Sequence, residues 1–170
     1  MPSESARATS AAESRFRLET PNSKPRTVTV VALDTPSEAV VRRLSEGRWN
    51  GASFLTASAF SARSVEPGRF SMAGWLSDLA GRTKDLIEEV DRADAVVMIG
   101  SVGQDMQPAS IIAEACQIRH VMTTVMILGS AAQSDDALAR ALAQLRPYAS
   151  MLVIANDEGY LVDMLAALRA

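Results

Sequence analysis

The chain is short of the residues that most often advertise chemistry. Of its 170 residues one is cysteine, Cys116, and one is histidine, His120. A single thiol cannot close an internal disulfide, which excludes a small fold held by disulfides. One histidine leaves little for a His-based metal site, or for a serine hydrolase that needs an imidazole beside its nucleophile. Basic charge is not in excess: 17 Lys and Arg stand against 20 Asp and Glu, a net charge of -3. A nucleic-acid binder carries a basic surplus, so no nucleic-acid partner is expected. No apolar run approaches the roughly 20 residues that cross a bilayer, and none near the start suits a secretory signal. Glu4, Glu13 and Glu19 argue against an organelle transit peptide. The expectation is a cytoplasmic protein with no membrane partner.

Apolar residues make up 48% of the chain, enough to build a core and to exclude global disorder. Residues 1–25 stand apart: rich in Ser, Ala, Arg, Glu and Pro and without apolar periodicity, they read as a disordered tail ahead of an α/β domain over 26–170. Thr27–Leu33 is a β-branched run suited to a strand buried on both faces. Thr35, Pro36 and Glu38 read as a capping box, with Thr35 as the cap of a helix reaching about Glu46. Ala52–Ala57 reads as a short strand, and residues 58–71 as an irregular connection with room for a short edge strand. From Met72 to Asp91, the apolar residues Leu76, Leu79, Leu86 and Val90 fit a helical stripe. Ala93–Ile99 and Val121–Leu128 are strands, with a helix opening at Pro108 between them. Ser134 starts another helix, Met151–Ala155 is the last strand, and Leu161, Met164, Leu165 and Leu168 line the final helix.

Strand and helix alternate about five times. That pattern predicts a three-layer, Rossmann-like α/β domain around a mostly parallel five-stranded sheet. Ligands of such sheets sit beyond the carboxyl ends of the strands. The candidate loops are therefore 34–37, 57–62, 100–107, 129–134 and 156–158. The most informative runs from Gly100 through Ser101, Gly103, Gln104 and Asp105 into a helix N-terminus, where free backbone N–H groups favour an anion. It is neither a P-loop, lacking Gly-Lys-Ser/Thr, nor the dinucleotide fingerprint, and as it stands it also fits an ordinary strand–helix connection. The first loop has no glycine, which disfavours a dinucleotide or flavodoxin-type phosphate site there. A phosphoacceptor receiver needs an aspartate after the third strand and a lysine after the fifth; Gly100 and Ala155–Asn156 stand there instead. His120 falls on the opposite edge from Ser101. Cys116 and His120, four apart, are two ligands where zinc needs three or four, and read as a buried thiol and a helix end. Asp34, Asp105 and Asp157 share the carboxyl edge as a candidate magnesium set, although helix capping accounts for Asp157. Trp49 and Trp75 read as packing residues.

In serial order, several segments resemble the nucleotide-binding domain of the bacterial division GTPase FtsZ and, more distantly, tubulin. Val40–Leu55 (VVRRLSEGRWNGASFL) looks like the family's first helix and second strand. Lys84–Gly100 (KDLIEEVDRADAVVMIG) resembles the helix and strand before its glycine-rich loop, and Pro108–Glu114 (PASIIAE) the helix after it. Leu145–Asp157 (LRPYASMLVIAND) resembles the segment ending in the family's Pro-Asn-Asp. The resemblance spans about residues 27–165 and implies strand order 2-1-3-4-5 for the five expected strands. It implies GTP or another nucleotide as the ligand, with Asn156 at the position of the family's guanine-recognising asparagine. The departures lie in the phosphate loops: Asp34-Thr35-Pro36-Ser37 replaces a glycine-rich turn, and only Gly100 and Gly103 stand where the family has a run of glycines and threonines. The family's second domain and its catalytic acidic loop have no counterpart in these residues, so a self-contained GTPase is not expected. The expected function is a non-catalytic FtsZ-like binding or assembly module, taking a nucleotide or another small anionic ligand through Asp34, Gly100, Ser101, Gly103, Gln104, Asp105, Asn156 and Asp157. The alternatives are a Rossmann-like enzyme or enzyme subunit using Ser101, Gln104 and Asp105, and a structural protein that forms a homo-oligomer through sheet edges or helix faces.

Overall fold

The computed structural model describes residues 25–62, 74–129 and 133–170. The expected N-terminal tail lies outside the described residues apart from Pro25. In chain order the elements are β1 (Val28–Ala32), α1 (Thr35–Ser45), β2 (Ala52–Ala62), β3 (Gly74–Asp78), β4 (Thr83–Asp85), α2 (Leu86–Arg92), β5 (Ala95–Ser101), α3 (Gln107–Ile118), β6 (Met122–Leu128), α4 (Asp135–Leu145), a 3-10 turn (Arg146–Tyr148), β7 (Met151–Ala155) and α5 (Glu158–Ala167). The strands form one sheet in the order β4-β3-β2-β1-β5-β6-β7.

The five expected strands lie in the order 2-1-3-4-5, and all their pairings are parallel. Their apolar runs alternate between two cores. Val28, Val30, Ala32, Val97, Ile99 and Met126 face α1 and α5, where Val40, Val41, Leu44, Leu161 and Leu165 close the layer. Val31, Val96, Met98, Val125 and Ile127 face α2, α3 and α4, against Leu86, Val90, Ile112, Cys116 and Leu145. Strands buried on both sides need no polar face, which is why β1 and β5 are buried along their whole length and read as mostly apolar stretches without alternation.

Among the described residues the sheet has seven strands, not five. The helix expected from Met72 is instead an antiparallel hairpin, β3 and β4, followed by a helix that begins at Leu86. Leu76 sits in the core under α2–α4, whereas Leu79 packs against the opposite core, so the two never shared a helical stripe. The turn between the strands explains the hairpin. Asp78 Oδ1 accepts the backbone N–H groups of Ala80 and Arg82, at 3.0 and 2.8 Å, and Gly81 takes a positive φ of 82°. The Arg82 N–H foremost, with the guanidinium beside it, holds the Asp78 carboxyl below its usual range. The strand expected to end at Ala57 runs on to Ala62 and pairs antiparallel with β3, its register broken between Thr56 and Ser61. The rest of the expected connection, 63–71, lies outside the described residues.

Candidate functional site

The order of the sheet reverses between β1 and β5: the chain proceeds from β1 to β2 on one side and from β5 to β6 on the other. At such a switch point the loops leaving the carboxyl ends diverge and can open a crevice. Here the two loops are tied together. Asp34 is only 6% exposed, and its carboxylate accepts three hydrogen bonds. Oδ1 takes the Ser37 N–H at 2.8 Å and the Ser101 hydroxyl at 3.0 Å; Oδ2 takes the Ser101 N–H at 2.7 Å.

The same aspartate caps α1. Ser37 returns its Oγ to the Asp34 N–H at 3.1 Å, completing a capping box. The cap is therefore Asp34 and not Thr35, which stands exposed in the first turn of α1. Pro36, with no N–H to satisfy, pre-sets the entry, and an aspartate at N-cap outcompetes a threonine one position later. The D-x-x-S spacing at 34–37 carried this signal. Glu38 holds Arg42 at 2.7 Å and accepts the Thr56 hydroxyl at 3.0 Å. Glu158 is paired with Arg43, whose guanidinium lowers its carboxyl.

The loop after β5 is built differently. Gly100 is hemmed in by packing: a Cβ there would lie 2.8 Å from Met106 Sδ and 3.2 Å from Leu33 Cδ1. Gly103 is free of such neighbours and takes a positive φ of 83°, in a turn closed by the Gln104 N–H to Ser101 O at 3.3 Å. Gln104 and Asp105 are exposed. Met106 at the cap of α3 makes no side-chain cap, and Asp105 Oδ1 accepts the Gln107 N–H at 2.9 Å instead. Asp105 also borders a groove of about 600 Å3 with Gln107, Ser110, Gln144 and Tyr148. A second groove of about 570 Å3 shares Ser110 and Tyr148 and continues to Glu114 and Gln117. Sequence reasoning missed both, since they form where α3 meets the α4–β7 junction.

Asn156 is exposed two strands away, after β7, with Oδ1 close to Gly129: a Cβ at that glycine would lie 3.2 Å from it. Asp157 caps α5 through the Tyr160 N–H at 2.9 Å, as expected. Ser134 caps α4 through the Ala137 N–H at 3.3 Å. The predicted residues thus share one edge but act in separate places: Asp34, Gly100 and Ser101 form the buried tie, Gly103, Gln104 and Asp105 an exposed turn, and Asn156 and Asp157 the start of α5. Among the described residues no group of three His, Cys, Asp or Glu could hold a metal, so Asp34, Asp105 and Asp157 do not converge as a magnesium set.

His120 follows α3 at the far edge of the sheet, in the left-handed region at φ 57°. Cys116 is fully buried, and burial pushes its thiol up to about 12, which keeps it a packing group. Trp49 is likewise structural: its indole N–H donates to Leu44 O at 2.7 Å and its ring meets Phe54 at 6.1 Å. The side chain of Trp75 lies outside the described residues. No helix among the described residues is long and apolar enough to cross a membrane. No family model matches the chain, and no curated protein matches it.

Proposed function

We propose that this chain is a divergent relative of the nucleotide-binding domain of the FtsZ and tubulin family, acting as a non-catalytic binding or assembly module. Its ligand is a nucleotide or another small anionic molecule at the carboxyl edge of the sheet. The observation that carries the reading is the contrast at the switch point. The loop after β1 is sealed by Asp34, while the turn at Gly103–Asp105 stays exposed, with a glycine open to close approach. Ser101 supports the absence of catalysis: its hydroxyl donates to a carboxylate that is already the cap of α1, and the lone histidine lies at the other edge. Asn156 would meet the base, two strands from the turn that would meet the phosphates. Asp105 stands in that turn, so phosphate enters only with a divalent cation screening its charge.

The test is calorimetry and thermal shift of the full chain with GTP, GDP and ATP, with and without magnesium, beside phosphate release at high protein concentration. At a hundred times its dissociation constant a bound nucleotide adds about 2.7 kcal/mol of stability. Gly103→Val removes that gain, Asn156→Ala weakens it for guanine nucleotides, and no phosphate is released. A chain that no nucleotide stabilises overturns the nucleotide reading. Turnover abolished by both substitutions overturns the non-catalytic one.

A further inference from the structure

The two edges of the sheet are unlike. β4 is three residues long and carries Lys84 and Asp85, and a short charged edge discourages another strand from adding to it. β7 is five residues, Met-Leu-Val-Ile-Ala, with no charge and no proline, and it ends the sheet among the described residues. The Gly129 N–H donates to Ala155 O, so Ala155 turns its backbone toward β6. By alternation along the strand, Leu152 and Ile154 turn their N–H and C=O groups outward. The Ile154 side chain is itself 40% exposed.

Ile154 lies on the α4 face with Leu152, and separate apolar residues are exposed on the α5 side. Tyr160 and Val162 of α5 are 42% and 43% exposed, and Met122, at the start of β6, is 47% exposed. Within α5 only Glu158 and Asp163 carry charge, while Leu161 and Leu165 already fill the core. A helix apolar on nearly all sides belongs in a buried setting, and the chain's own layers cover only one side of this one.

We propose that two copies of this chain pair β7 to β7, antiparallel about a two-fold axis normal to the sheet, which makes one continuous sheet across a homodimer. A second copy is the occupant because the edge is self-complementary. With the axis at Val153, Leu152 of one copy stands opposite Ile154 of the other, and each pair exchanges the N–H and C=O groups that face outward. The edge is about 17 Å long and, with a helix layer on each side, about 30 Å tall, a wall on the order of 500 Å2. That is at the lower limit of specific interfaces, so the dimer forms on the order of tens of micromolar rather than nanomolar. This inference does not rest on the ligand reading, and it is tested without ligand.

The experiment is sedimentation equilibrium of the full chain between about 1 and about 300 µM, which brackets a weak interface, with hydrogen exchange read at the same concentrations. The weight-average mass rises toward twice the monomer's across that range, and the amides of Leu152 and Ile154 gain protection with concentration. Ile154→Lys puts a charge on the edge and weakens association at least about tenfold. Tyr160→Lys, on the flank of α5 away from α1, is a second variant off the sheet, which keeps the test valid should Ile154→Lys misfold; it too weakens association. Lys84→Ala, on the opposite edge, leaves it unchanged. A chain that stays monomeric throughout overturns the proposal, as does association that both lysine variants leave intact.

Discussion

Two strand-to-helix turns lie side by side at the switch point, and they solve the same problem in opposite ways. Each takes the chain from a fully buried strand to a helix whose first N–H groups need partners. After β1 the aspartate stands at the cap itself, is buried, and spends its oxygens on Ser37 and on the neighbouring loop. After β5 the aspartate stands one residue before the cap, stays exposed, and accepts the Gln107 N–H. A shift of one residue separates a clamp that joins two loops from a turn that leaves its surface open. The presence of an acid at a helix start is therefore not enough to tell a structural residue from one that could meet a ligand.

The largest effect expected from breaking this contrast is at Asp34. Asp34→Ala removes a helix cap and leaves the buried Ser101 N–H without its acceptor, a loss of about 3 kcal/mol. Asp105→Ala costs less than about 1 kcal/mol, since water can take over an exposed N–H. Urea unfolding of the two variants measures the gap, and equal losses would remove the distinction between the turns.

The glycines sharpen it next. Gly100→Ala and Gly103→Ala each cost about 1 kcal/mol, the first by displacing Met106 and the second by strain at a positive φ. A double-mutant cycle with Met106→Ala separates the causes: Gly100 couples to Met106, while Gly103 is additive with it. Coupling of both to the same extent would mean that the turn at Gly103 is packed rather than open. The smallest effect is at Thr35. Thr35→Ala changes stability by less than about 0.5 kcal/mol, because Thr35 does not cap α1. A loss of 1 kcal/mol or more, about what a cap is worth, would put the cap back on Thr35.

The parallel half of the molecule was legible from residue types alone. β1 and β5 are buried on both faces and read as apolar stretches rich in β-branched residues, β6 and β7 follow the same composition, and Pro108, Ser134 and Asp157 mark helix starts by local chemistry. Tertiary structure decided the other half. Leu76, Leu79, Leu86 and Val90 have a spacing that suits a helix, which masks the turn signal of Asp78 and Gly81 between them. Pairing with β2 turned the first stretch into a strand, and the Asp78–Gly81 turn sent Leu76 and Leu79 to opposite cores. The candidate site divides the same way. That Asp34, Ser101 and Asn156 share one edge follows from the order of strands and helices in the sequence. That Asp34 is consumed by Ser101 does not, because the partners are 67 residues apart and meet only when β1 and β5 pair in register. Local sequence can set which groups lie at the end of a strand, since that depends on periodicity. Which of those groups remain free depends on long-range hydrogen bonds, and only the folded sheet brings their partners together.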